Sequence, residues 1–223
     1  MTFQNAYHGV KKIFTSELLM LIGGVCLLIA GVLAVLTASS AAAGNSGGAA
    51  VSSLGMLLLF LASAILPIIG FIMNLVGLSQ AGKDEDSFQK AFIIAIFAMI
   101  IRMVSSIFTT LNVGGGAADN IARAVSNVAE IIVFILVVNG VTNLADRLHK
   151  SELFGTANKL IVFYIIMYGL SIVANLILIH FELNTTTAVI AGVLEIVSAI
   201  LALIAYIVYL VFLGKAKAML REN

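Results

Sequence analysis

The sequence has no tryptophan, one proline, one cysteine and few charged residues. The lone Cys26 excludes an internal disulfide, a CxxC redox pair and a metal cluster built on cysteines. Charged residues make up 10% of the 223 positions, against roughly a quarter in ordinary soluble domains. So few charges cannot cover a surface that faces water, and this excludes a soluble globular domain.

Hydrophobic residues fill 61% of the chain and occur in six long runs. An α-helix needs about 20 apolar residues to cross the hydrocarbon core of a bilayer, and these runs are of that length. They are far longer than the ~10-residue alternating strands of a membrane β-barrel. We therefore predict an all-α membrane protein with six transmembrane helices, at residues 18–36, 54–78, 88–110, 121–140, 160–179 and 189–213.

Positive charge is distributed unevenly between the segments that connect these runs. The first, third and fifth connections are short of lysine and arginine and rich in small or polar residues. Ten of the 12 basic residues lie in the termini, in the second and fourth connections or, for Lys90, in the first turn of the third run: Lys11, Lys12, Lys83, Lys90, Arg147, Lys150, Lys159, Lys215, Lys217 and Arg221. Because basic segments stay in the cytoplasm, we expect both termini there, with three outward-pointing hairpins in one bundle in the cell membrane.

The predicted transmembrane domain covers residues 18–213 and has a short extension on each side. In residues 1–17 an apolar stripe at helical spacing lies opposite Lys11 and Lys12, which predicts an amphipathic segment in the membrane interface. A frayed terminus is the alternative. Residues 214–223 are predicted to form a basic cytoplasmic tail.

Sequence motifs for catalysis are weak in this chain. The segment "GLSQAGKD" (77–84) matches a P-loop in part, but Asp84 replaces the Ser or Thr that would bind magnesium. The three histidines fall on both sides of the predicted membrane, which argues against a metal site. We expect neither an enzyme nor a cofactor, and no nucleic-acid partner.

Three charged residues fall inside predicted transmembrane helices at a similar depth. Arg102, Glu130 and Glu195 each lie roughly 13 Å below the outer surface, at 1.5 Å per residue. An unpaired charge there costs about 2.5–3.5 kcal/mol, so we predict that they pair inside the bundle as an intramembrane polar site. Spans two to five each carry polar or small residues in one stripe at helical spacing, and the following members of these stripes are predicted to support the site: Asn74, Arg123, Asn127, Tyr168 and Asn175.

Three segments at the helix ends carry a resemblance to a known group of proteins. "GLSQAGKDEDSFQKAF", "NGVTNLADRLHKSELFGTANKL" and "YLVFLGKAKAML" resemble those of small, uncharacterised six-span membrane proteins of bacteria and archaea. The resemblance covers most of the chain and implies a bacterial or archaeal membrane protein, but no activity.

Two functions from different classes fit these features. The first is a small permease or channel, in which the charged residues bind an ion or a small polar solute. The second is a scaffold or accessory subunit that transports nothing, meets a membrane protein partner or a second copy, and uses its polar residues to fix helix packing. In both, the lipid bilayer is the first partner.

Overall fold

The computed structural model describes the backbone of residues 3–42, 46–110, 115–150, 152–180 and 185–222. Side chains are described for residues 3–38, 55–104, 106, 125–150, 152–170, 193–194 and 196–222. The helices are α1 (Gln4–Ala42), α2 (Ser46–Ala81), α3 (Asp86–Thr110), α4 (Gly115–Arg147), α5 (Glu152–His180) and α6 (Thr185–Arg221). Each contains a stretch long and apolar enough to cross a membrane. The predicted all-helical fold is confirmed, and the chain is a multi-pass membrane protein.

The helices pack in three hairpins, as predicted: α1 with α2, α3 with α4, and α5 with α6. Contacts between hairpins are made by α1 with α6, by α2 with α3, by α4 with α5 and, to a smaller extent, by α4 with α6. The six helices therefore follow one another around the bundle in chain order, and the last returns to the first.

Both chain termini and the α2–α3 and α4–α5 turns lie at one end of the bundle, which we call the basic end. The buried core lies at this end and receives side chains from every helix. Its members include Val10, Leu78, Phe88, Leu144, Leu160 and Phe212. Farther from the basic end, large apolar side chains such as Leu28 and Val35 are exposed, as expected of surfaces that meet lipid. Apolar packing therefore closes the bundle at the basic end.

The first hairpin is packed by small residues that recur at heptad spacing. Gly9, Ser16 and Gly23 of α1 face α2, where Gly77, Gly70 and Pro67 respectively are their counterparts. A Cβ atom on Gly9 would lie 2.5 Å from the Gly77 carbonyl oxygen, and one on Gly70 would lie 3.0 Å from the Ser16 carbonyl oxygen. Only glycine permits such a close approach of two backbones, which supplies the van der Waals contact that holds membrane helices together.

The α2–α3 turn joins three helices through two carboxylates. Asp84 accepts hydrogen bonds from the Ala6 backbone N–H at 2.7 Å and from Asn5 Nδ2 at 3.0 Å, so it caps the start of α1. Glu85 accepts a hydrogen bond from Asn143 Nδ2 at 2.8 Å and lies 2.8 Å from Arg147 Nη2 of α4. Asp84, which breaks the P-loop pattern, therefore has a structural role.

Residues 4–17 are the first turns of α1 and continue directly into its transmembrane part. Ala6, Val10 and Ile13 on this segment are fully buried in the core. A position of the segment in the membrane interface stays a prediction. At the other terminus, α6 extends to Arg221 and so includes most of the predicted tail.

A single methyl group tests the close packing of α1 against α2. Gly9→Ala should lower the free energy of unfolding by about 1–3 kcal/mol, because the added Cβ collides with backbone atoms of α2. Gly24→Ala, on the same helix, is the matched control, since a Cβ there meets nothing within 4 Å. Unfolding in SDS, followed by circular dichroism, measures both variants. Equal stability of the two would contradict the packing described here.

Candidate functional site

A cavity of about 560 Å³ lies between the helices, beyond the core at the basic end. All six helices contribute side chains to its wall. Val137 and Tyr209 belong to both the wall and the buried core, so the core closes the cavity on that side. Most of the wall is apolar, and its polar groups are concentrated in two places.

The first polar place is Glu17 of α1, which is 9% exposed. Asn74 of α2 donates a hydrogen bond from Nδ2 to Glu17 Oε1 at 3.1 Å. The Tyr206 hydroxyl of α6 lies 2.6 Å from the Glu17 carbonyl oxygen and 3.0 Å from Oε2. Among the described side chains, no lysine, arginine or histidine forms an ion pair with this carboxylate. Glu17 is therefore held by neutral donors from two neighbouring helices.

The second polar place is an ion pair between Arg102 Nη2 of α3 and Glu130 Oε1 of α4. The two side chains are 55% and 46% exposed, so this pair is not sealed by protein. At 1.5 Å per residue, Glu17 lies roughly 20 Å from the start of α1 and its partner Asn74 roughly 10 Å from the end of α2, whereas Arg102 lies roughly 24 Å from the start of α3. Glu17 and Asn74 therefore lie nearer the basic end than the ion pair does.

Aromatic rings from α4, α5 and α6 form one side of the cavity. Phe134 and Tyr164 are stacked with their ring centroids 3.5 Å apart, and Phe134 also meets Tyr209 at 5.1 Å. Tyr168 follows Tyr164 one turn farther along α5, with a centroid distance of 6.2 Å. Methionines on α1 and α3 complete the wall with polarisable, adaptable side chains.

The structure brings together part of the site predicted from the sequence. Arg102 and Glu130 pair with each other, Tyr168 lines the cavity, and Asn74 bonds to Glu17. Asn127 is exposed and does not belong to the described cavity wall. Three predicted side chains lie outside the described residues: Glu195, Arg123 and Asn175.

Sequence reasoning missed Glu17 and Tyr206. The predicted first span began at residue 18, which placed Glu17 outside the membrane, whereas α1 begins at Gln4 and carries this residue into the bundle. The signal that could have found it is the apolar pattern that precedes it. Val10 and Ile13 lie on the same buried face of the helix as Glu17, at i, i+3, i+7 spacing. Tyr206 had no such signal, since a tyrosine in an apolar helix is equally suited to the membrane interface.

Comparison of the chain with protein-family models, curated proteins and solved structures found no match. Its class is defined by its own fold, a six-helix membrane bundle with a largely apolar cavity that carries polar groups in two places.

The ion pair can be measured by a double-mutant cycle. Arg102→Gln and Glu130→Gln should each destabilise the protein, and the double variant should lose less than the sum of the two. We expect a coupling free energy of about 1–2 kcal/mol, reduced from that of a fully buried pair by the exposure of both side chains. Lys90→Gln, an exposed position on the same α3 helix, is the control and should show no coupling to Glu130→Gln. A cycle without coupling for Arg102 and Glu130 would mean that the pair does not exist in solution.

Proposed function

We propose that the chain is a small permease or channel, whose cavity binds an ion or small solute on its way across the membrane. The observation that supports this function is the 560 Å³ cavity with ionisable groups at two levels. Well-packed protein interiors leave few spaces larger than a water molecule. A space of this size, which is open at the exposed ion pair, can admit a guest, and we infer that it has one.

The free-energy cost of placing charged groups inside a membrane supports the same function. Ionisable side chains inside a membrane are expensive and, where they occur, commonly mark the paths of ions and solutes. Glu17 and the Arg102–Glu130 pair all line this one cavity, rather than being spread over separate helix contacts. A guest that passes through the bundle would meet both polar places in turn.

The arrangement of hairpins suggests how the passage opens. Helices make more extensive contacts within each hairpin than between hairpins. We propose that the hairpins move as units, which separates the apolar core below Val137 and Tyr209 and opens the cavity toward the basic end. The solute would then leave on the side opposite to its entry.

The orientation belongs to the same proposal. The partition of positive charge supports a cytoplasmic basic end in the cell membrane, so the cavity would lie in the half of the bundle nearer the outside. After Cys26 is replaced by serine, cysteines introduced at Asn45, Gly115 and Asn184 should react with an impermeant thiol reagent added to intact cells. A cysteine at Lys83 is the control and should be protected. The reverse pattern of labelling would invert the proposed topology.

A scaffold or accessory subunit is the second candidate, because the Arg102–Glu130 pair is already satisfied without a guest. In that function the polar groups fix helix packing, and the loops or lipid-facing surfaces meet a protein partner. The two candidates differ in whether water and solutes reach the cavity.

Flux measurements separate these candidates. The purified chain in liposomes should move at least one member of a panel of inorganic cations, inorganic anions, organic cations and neutral polar solutes faster than empty liposomes do. Glu17→Gln and Glu130→Gln should each lower that flux by about tenfold, since each removes a charge from the path. Glu152→Gln, an exposed residue at the start of α5, is the matched control. If the parent moves no member of the panel, the scaffold function is favoured. If it moves one but both cavity variants match it, the cavity is not the path and the proposal fails.

Two single-cysteine variants on α3 provide a structural control for the flux measurement. In the Cys26→Ser background, Met99→Cys lies in the cavity wall, whereas Ile100→Cys lies on a face that is 49% exposed and outside the wall. A small water-soluble thiol reagent should modify the first position and lower flux, but should not reach the second through lipid. Protection of both positions would indicate a dry cavity and favour the scaffold.

A further inference from the structure

Beyond transport in general, and resting on the proposed function above, we propose that the cavity takes organic cations. The guest has a single positive charge and an apolar, partly aromatic body. Its cationic group lies at Glu17, and its body lies against the tyrosines and methionines of the wall. The charge, the volume and the lining of the cavity each support this guest.

The charges of the cavity favour a cation. Glu17 and Glu130 are its acidic side chains, and Arg102 is its basic one, among the residues described in the wall. Because Arg102 pairs with Glu130, these two charges cancel at one level of the cavity. At the other level, the described partners of the Glu17 side chain are the neutral donors Asn74 and Tyr206. A cation near Glu17 would be attracted by an uncompensated carboxylate, and an anion would be repelled by it.

The volume favours an organic guest. Pockets of about 300–1,000 Å³ enclose drug-sized molecules, and 560 Å³ lies within this range. A single water molecule takes only about 30 Å³ of liquid volume, so a bare metal ion would leave most of this space to ordered water. The wall offers few polar groups to hold such water. A large guest with its own apolar surface fills the space without that cost.

The lining favours a guest that combines positive charge with apolar surface. A cation within about 6 Å of a tyrosine or phenylalanine ring is attracted by the negative face of the ring. Tyr164, Tyr168 and Phe71 present such rings in the wall. Met20, Met99 and Met103 line the same cavity, and flexible thioether side chains adapt to guests of different shape. This lining suits a range of related cations rather than one molecule.

Binding of two probes with matching shapes and opposite charges tests the inference. Tetraphenylphosphonium and tetraphenylborate carry the same four rings, and equilibrium dialysis against the full chain in liposomes, with protein-free liposomes subtracted, measures their binding. We expect saturable binding of the cation and at least about tenfold weaker binding of the anion. Glu17→Gln should weaken binding of the cation by about tenfold or more, while the exposed control Glu152→Gln should leave it unchanged.

A second pair of variants keeps the test independent of the folding of Glu17→Gln. Tyr168→Phe preserves the aromatic ring and should bind the cation within about twofold of the parent, whereas Tyr168→Leu removes the ring and should weaken binding about fivefold. Equal binding of the two probes overturns the inference. So does cation binding that neither Glu17→Gln nor Tyr168→Leu reduces.

The same liposomes distinguish failure of this inference from failure of the transport proposal. If the phosphonium is neither bound nor moved, while another class of the panel crosses the membrane, the inference fails and transport stands. If the phosphonium binds through Glu17 but no member of the panel crosses, the transport proposal fails and the cation site stands.

Discussion

A helix inside a bilayer gains no free energy by hiding apolar side chains from water, because lipid tails are as apolar as leucine. Its association with other helices depends instead on close van der Waals contact and on polar bonds. In this chain, Gly9 against Gly77 provides the first, and the bonds of Asp84 and Glu85 provide the second. Both kinds of contact, and the buried core with them, lie near the basic end. Among the described residues, these contacts join the helices at that end, and the cavity lies beyond them.

The same constraint applies to the buried charged groups, whose partners differ between the basic end and the cavity. At the basic end, the carboxylates of Asp84 and Glu85 bond to backbone, amide and guanidinium groups of α1 and α4, and these bonds fix the geometry of a turn. In the cavity, the described partners of the Glu17 side chain are Asn74 and Tyr206, which carry no charge. The buried Glu85 thus has a basic partner in Arg147, whereas the buried Glu17 has none among the described side chains.

The sequence predicted the helices well, because the length of an apolar run is a direct physical measure of whether it crosses a bilayer. The pairing of Arg102 with Glu130 was predicted from their equal depth in the membrane, since unpaired charges are costly in lipid. Glu17 was missed because hydropathy marks where a membrane span begins, but α1 starts well before that point and packs its early turns into the core. The bonds from Asn74 and Tyr206 depend on how α2 and α6 are placed around α1, and no local pattern encodes that placement.

The cavity is electrically asymmetric, and this asymmetry bears on how a guest would be moved. At the level of Arg102, the charges are already paired, so a guest there neither gains nor loses a strong electrostatic partner. At the level of Glu17, a positive guest would form an ion pair with the only carboxylate of the described wall that lacks a basic partner. The attraction for a cation therefore increases toward Val137 and Tyr209, where the core closes the path. Binding energy would be realised next to the barrier that has to open, which is where it can favour separation of the hairpins.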